Sequence, residues 1–238
     1  MIKAILFDFN GIIIDDEELQ KKAYQEVLQA EGIALTDEDY YASLGMDDES
    51  FVRAAYARTQ HHLSDEKMRL VIERETAAHR KLIEKDVPLF PGAVTFVKAC
   101  ARHFTIGLVS MSRRTQIDYV LERIGLESAF DVIVSAEDVT ACKPDPMCYK
   151  RGFQLADAAR HSRKMYSLVQ EDCLAIEDAP PGILAARAAG LRTLGVTNTV
   201  SANELRAAGA DVVTANLADW TIDAVQHVFE FTKQTANA

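Results

Sequence analysis

Residues 2–13 read IKAILFDFNGII. Positions 2–7 are apolar throughout except for Lys3, and the run stops at Asp8. A run this short has the length of a strand rather than a helix, and a strand without polar alternation is one covered on both faces. Runs of the same kind recur at Phe104–Val109, Val132–Ser135, Leu174–Ile176, Thr193–Val196 and Val212–Val213. Helical patterns lie between them. Ile117, Val120, Leu121 and Ile124 have the i, i+3, i+4, i+7 spacing of one helix face, and Gly125 ends it. Ile183, Leu184 and Ala188 do the same ahead of Gly190. Strands alternating with helices predict an α/β fold, a doubly wound parallel sheet.

The alternation fails once. Between Asp16 and Asp86 no strand pattern stands out, and three groups of apolar residues mark helix faces instead. These are Leu19, Ala23, Val27 and Leu28, then Phe51, Val52 and Ala55, then Met68, Val71, Ile72, Ala78 and Leu82. The expected organisation is a core domain of residues 1–15 and 89–238 with a helical cap domain inserted at 16–88. Pro88 and Pro91-Gly92 punctuate the exit from the insert. Two basic groups, His79-Arg80-Lys81 and the set Arg160, His161, Arg163 and Lys164, read as solvated helix faces.

A chain of 238 residues is long enough for one large domain, or a core with a smaller insert, around a sizeable hydrophobic interior. With 36 Asp and Glu against 26 Lys and Arg, the net charge is −10, which argues against binding a nucleic-acid backbone. Small phosphorylated ligands remain open, because a few local donors hold them. No apolar run approaches the ~18 residues of a membrane span, and the N-terminal run meets Asp8 too early for a signal-peptide core. Cys100, Cys142, Cys148 and Cys173 form no C-x-x-C pair, so the expectation is a reducing, cytoplasmic setting without a zinc ribbon or redox motif. A monomer or small homo-oligomer is expected.

In an open parallel sheet, ligands bind outside the carboxyl ends of the strands. The residues just past each strand are therefore informative. Asp8-Phe9-Asn10-Gly11 succeeds the first, Ser110-Met111-Ser112 the second, and Glu177-Asp178 the fourth, and Lys143-Pro144 lies before the fourth. Carboxylates crowded at one edge repel unless a cation neutralises them, and hard oxygen ligands favour Mg²⁺ bound together with a phosphate. Asp8 and Asp178 suit the metal. Lys143 and the Ser110 hydroxyl suit a phosphoryl group, with backbone N–H groups around Gly11 and Met111 as further donors. An aspartate so placed can attack phosphorus and form an aspartyl-phosphate. Each signal is weak alone, since a single Asp or Ser at a strand end is commonly a helix cap; the ordered set carries the specificity.

The set resembles the haloacid dehalogenase (HAD) superfamily. Asp8-Phe9-Asn10-Gly11 looks like its first motif, Val109-Ser110 its second, Lys143-Pro144 its third, and Ile176-Glu177-Asp178 with Gly182–Ala186 its fourth. Ala185–Gly190 (AARAAG) is similar to the helical-cap subgroup that includes β-phosphoglucomutase-like and phosphoglycolate-phosphatase-like enzymes. The resemblance covers essentially the whole chain. It implies a Rossmann-like HAD core and a Mg²⁺-dependent phosphatase acting on a small phosphorylated metabolite. It implies Asp8 as nucleophile and metal ligand. The Asn10 backbone carbonyl and Asp178 are then further ligands, with Glu177 nearby. Ser110 and Lys143 hold the phosphoryl group, and the insert is a lid.

The chain departs from that pattern at one decisive position. The usual motif is D-x-D-G, whose second Asp protonates the leaving oxygen and then deprotonates water; here it is Asn10, whose amide does neither. General acid–base catalysis is worth about 10²–10⁴ in rate. Three readings stay open: Asp15, Asp16 or Glu17 supplies the proton; the leaving group is good enough to need none; or the chain is a catalytically weak phosphometabolite-binding protein. A sugar phosphomutase of the β-phosphoglucomutase type is the alternative reaction, weakened because Gln20 stands where such enzymes place a His. The cap loop Ser43–Asp48 is also acidic.

Overall fold

The computed structural model describes residues 1–59 and 61–235, with side chains described up to Glu230. Its centre is a six-stranded, all-parallel sheet in the order β3-β2-β1-β4-β5-β6. The strands are β1 (Ala4–Phe7), β2 (Thr105–Val109), β3 (Val132–Val134), β4 (Cys173–Glu177), β5 (Arg192–Val196) and β6 (Val212–Thr214). Every apolar run read from the sequence coincides with one of them. The ends differ by one or two residues, because ladder hydrogen bonds and apolar side chains do not stop at the same position.

Both faces of the sheet are covered, as the unbroken apolar runs require. Side chains alternate along β1. Ile5 and Phe7 face a cluster that takes in α5 (Ala93–Cys100), α6 (Arg114–Ile124) and α10 (Ile222–Thr235), through Phe96, Val120, Leu121 and Phe229. Ala4 and Leu6 face a second cluster formed with α7 (Met147–Ser162) and α8 (Pro180–Ala188), through Tyr149, Ala156 and Ala186. A short helix, α9 (Ala202–Ala207), precedes β6.

Four helices lie between β1 and α5: α1 (Glu17–Ala30), α2 (Asp37–Tyr41), α3 (Asp48–Ala57) and α4 (Asp65–Ile83). They enclose a separate hydrophobic cluster that includes Leu28, Val52, Ala55 and Val71, with the Tyr24 and Phe51 rings 4.2 Å apart. Thr36, Asp47 and Ser64 cap the amino ends of α2, α3 and α4 by accepting the N–H three residues on. The two stretches of chain that enter and leave this insert run side by side. The Asp15 N–H donates to the Pro88 carbonyl at 3.0 Å, and Ile14 and Leu89 form an antiparallel bridge.

Two surface expectations are corrected. His79 is buried against Asp16, because that side of α4 packs on α6; Arg80 and Lys81 are exposed as expected, with the Arg80 guanidinium 4.0 Å from the centre of the Tyr119 ring. Arg160 is also buried. Its guanidinium donates to the Tyr166 carbonyl at 3.1 Å and reaches the Thr105 hydroxyl, so it ties the end of α7 to the sheet. His161, Arg163 and Lys164 are exposed as expected.

Candidate active site

The strand order reverses at β1, which pairs with β2 on one side and β4 on the other. Loops leaving neighbouring strands diverge at such a point and open a crevice at their carboxyl ends. Asp8, Ser110 and Asp178 all succeed strands that meet there. The Asp8 N–H still donates to the Ile176 carbonyl at 3.0 Å, so its side chain leaves from the last fixed point of the ladder.

Lys143 comes from the loop before α7 and is the hub of the group. Its Nζ lies 2.8 Å from Asp8 Oδ1 and 2.6 Å from Glu177 Oε1. The Tyr149 hydroxyl, one turn into α7, donates to the same Glu177 oxygen. Burial alone would drive the Lys143 ammonium toward its neutral form; the adjacent Asp8 and Glu177 charges outweigh this and hold its pKa above the ordinary lysine value.

Asp8, Glu177 and Asp178 each bring one carboxylate oxygen to within 4.8 Å of the others. One ammonium does not balance three carboxylates. Burial, and next to it repulsion from Asp8, pushes Glu177 up to about 8 against the pull of Lys143. The same two causes raise Asp178 well above the usual carboxylate range. A site of hard oxygen donors with negative charge in excess can hold a metal cation. The packing is close: a Cβ on Gly11 would stand 1.9 Å from Asp178 Oδ2, and one on Gly182 would stand 2.0 Å from the Glu177 carboxyl carbon. Gly11 also has φ +74°, so the turn after β1 needs glycine twice over.

Asn10 occupies the opposite wall. Its amide donates to both oxygens of buried Asp16, at 2.9 and 3.1 Å, and its carbonyl accepts from the Ser112 hydroxyl at 2.7 Å. His79 Nε2 stands 3.0 Å from Asp16 Oδ2 on the far side. The Ser110 hydroxyl accepts the Ser112 N–H at 3.0 Å, and Asn198 donates to the Gly11 carbonyl at 2.7 Å.

One cavity contains Asp8, Asn10, Ser110, Met111, Lys143, Glu177 and Asp178, and Gly11 lies against Asp178 at its edge. The residues expected to act as nucleophile, phosphate ligands and metal ligands are therefore brought together, and of the three candidate proton donors only Glu17 joins them. The insert roofs this cavity with Glu17, Gln20, Tyr24, Tyr40, Phe51 and the loop Ser43–Asp48. The roof is close. A Cβ on Gly45 would lie 3.1 Å from Lys143 Cβ, and the Asp47 N–H reaches Cys142 Sγ at 3.4 Å. Sequence reasoning missed Tyr149 and Asn198, since neither belongs to a recognisable motif, and it read His79 as part of a solvated face; an apolar helix face with a polar residue one turn in was the only available hint for Tyr149.

Comparison with known proteins agrees with this geometry. The family model of haloacid dehalogenase-like hydrolases matches residues 5–196, and so spans both the insert and the strands that carry the acidic cluster. The chain belongs to the haloacid dehalogenase-like hydrolase family. Hexitol phosphatase B of Escherichia coli K12 is 30% identical over 222 residues, covering 92% of this chain and 95% of that protein. Validoxylamine A 7'-phosphate phosphatase of Streptomyces hygroscopicus subsp. limoneus is 29% identical over 226 residues, covering 92% and 96%. Among solved structures, β-phosphoglucomutase of Clostridium difficile superposes on this HAD hydrolase with a TM-score of 0.81 at 21% identity, covering 98% of this chain and 100% of that one. At that identity the likeness shows the fold alone.

Proposed function

We propose that this HAD hydrolase is a cytoplasmic, Mg²⁺-dependent phosphatase that removes the phosphate from a small sugar or polyol monophosphate. The observation that carries the reading is Lys143 bridging Asp8 and Glu177 beside Asp178 at the crevice of the sheet. Asp8 is the nucleophile. Its carboxylate oxygen bonds to phosphorus as the P–O bond to the sugar breaks, and water then splits the aspartyl-phosphate to release inorganic phosphate. Lys143, the Ser110 hydroxyl and the Met111 backbone N–H hold the phosphoryl oxygens; the Gly11 N–H, expected from the sequence to join them, is already given to the Ile14 carbonyl at 3.0 Å. Asp8, Asp178, the Asn10 carbonyl and Glu177 would hold Mg²⁺, which when bound supplies positive charge to the phosphoryl group. Residues 16–88 act as the cap domain that excludes water from the reaction.

Two features support a substrate with a single phosphate. Lys143 is the only basic residue among the described residues that line the cavity. The roof instead carries Asp47, which takes the Ser50 N–H, and buried Asp48, which takes the Tyr24 hydroxyl, and neither offers a positive charge to a second phosphate. That absence weighs against the phosphomutase alternative, which passes through a bisphosphate. The relatives named as hexitol and validoxylamine phosphatases fit the same substrate class. The test is hydrolysis of p-nitrophenyl phosphate and a panel of sugar and hexitol monophosphates, with Mg²⁺ and with chelator, by the parent and by Asp8→Ala. Turnover that requires Mg²⁺ and vanishes in Asp8→Ala is expected. No turnover above the Asp8→Ala background, on any substrate, overturns the proposal.

A further inference from the structure

Asn10 leaves the reaction without a proton donor at the position where the family places one. Three carboxylates stand at the root of the insert, and their surroundings separate them. Asp15 is exposed and does not line the cavity. Asp16 is buried, with both oxygens occupied by the Asn10 amide and one also facing His79. It borders a smaller neighbouring cavity between α4 and α6, not the one that contains Asp8. Glu17, the first residue of α1, lines the cavity with Asp8 and Lys143. Its Oε2 accepts from the Tyr40 hydroxyl at 2.9 Å, and Tyr40 is anchored in turn by Gln20 at 3.1 Å. The other carboxyl oxygen has no hydrogen-bond partner among the described residues.

We propose that Glu17 is the general acid and base of this hydrolase and takes over the proton transfers that Asn10 cannot perform. As the Asp8 oxygen bonds to phosphorus, the P–O bond to the leaving group breaks and the Glu17 carboxyl gives its proton to the departing oxygen. In the second half, water attacks phosphorus, the Asp8–phosphorus bond breaks, and the Glu17 carboxylate takes the water proton. The cycle returns both carboxyl groups to their starting states. The inference rests on the phosphatase reading above and assigns the group that completes it.

The groups facing Glu17 suit the task. Burial comes first, then Asp16 beside it, and together they push its pKa up to about 7; Asp8 and Glu18 add to the rise, and the Tyr40 hydrogen bond opposes it. Asp178, across the cavity, feels the Glu17 charge in return. A carboxyl group that titrates near neutral pH can give and take a proton within one turnover. Its place on the first turn of α1 also couples acid catalysis to the presence of the roof over the bound substrate.

The test is Glu17→Gln, which keeps an oxygen for Tyr40 and removes the proton. On a hexitol or sugar monophosphate, kcat is expected to fall about 10²–10⁴-fold with KM little changed. On p-nitrophenyl phosphate, whose leaving group needs no proton, the first half-reaction is spared. Its burst of p-nitrophenolate, read by rapid mixing, is then expected to match the parent. The neutral limb of the pH–rate profile should vanish. Tyr40→Phe is the second variant. Loss of the hydrogen bond that favours the Glu17 carboxylate moves that limb to higher pH, and this outcome does not depend on Glu17→Gln folding. A p-nitrophenolate burst slowed as much as turnover of the sugar phosphate, or an unchanged pH limb in both variants, overturns the assignment. If Glu17→Gln is fully active while Asp8→Ala is dead, the phosphatase reading stands and the role of Glu17 falls.

Discussion

A single amide defines this site. The Asn10 side chain is a two-sided connector, donating to Asp16 at the root of the insert and accepting from Ser112 on the loop after β2. A carboxylate at position 10 would meet another carboxylate across one hydrogen-bond distance, and two such groups cannot both ionise without cost. Asn10→Asp is therefore expected to destabilise the protein, by roughly 1–3 kcal/mol for a lost hydrogen bond to a charged group. The shared proton sets the sign with pH. The pair's pKa is raised on folding, so the penalty is small below the ordinary carboxylate range and grows as pH rises through the raised value. Thermal midpoints of parent and variant should diverge between pH 5 and pH 8, and a gap that stays constant contradicts this.

At the scale of the element, α4 is the least comfortable helix. Glu75 is completely buried, and both of its carboxyl oxygens lack hydrogen-bond partners among the described residues. Burial first, and then the nearby Asp48 and Asp16 charges, hold its pKa well above the usual value. A group protonated more readily in the folded state stabilises at low pH, and that contribution is lost as pH rises from about 4.3 through the folded value. Glu75→Met removes the liability at similar volume. The variant is expected to melt at a higher temperature than the parent, with an advantage that widens as pH rises; a lower midpoint at neutral pH would show that Glu75 is compensated. The outer contacts of the same helix, Arg80 on Tyr119 and Thr76 near Gln116, hold the insert on α6.

The molecule as a whole gathers Asp8, Glu177 and Asp178 where the sheet and the insert meet. Burial, and next to it the Asp8 charge, pushes the Glu177 pKa up to about 8. Glu177 therefore contributes stability that is complete below about pH 4 and is lost as pH rises through the folded value. A divalent cation favours the ionised carboxylates and so acts in the opposite direction. In chelator, the thermal midpoint should fall from pH 5 to pH 8. Addition of Mg²⁺ should raise it at every pH and most at pH 8. A Mg²⁺ effect that is absent, or larger at pH 5, would contradict metal binding at Asp8, Glu177 and Asp178.

The amino-acid sequence by itself determined the layering of this protein. Strand-length apolar runs covered on both faces and alternating with helical patterns point to a parallel sheet between helices, and the helical periodicity from Leu19 to Leu82 marks the insert. It also placed Asp8, Ser110 and Asp178 at strand ends that share one edge, with Lys143 in a loop ahead of the fourth strand. Only the tertiary structure decided what each polar group faces. Asp15, Asp16 and Glu17 are consecutive acids in the chain, yet one meets solvent, one meets Asn10 and His79, and one meets the cavity. His79 lies 63 residues from Asp16, and Tyr149 lies 28 from Glu177. The reason is physical: periodicity reports which side of an element is apolar, whereas the partner of a buried polar group is set by which elements pack together and at what angle.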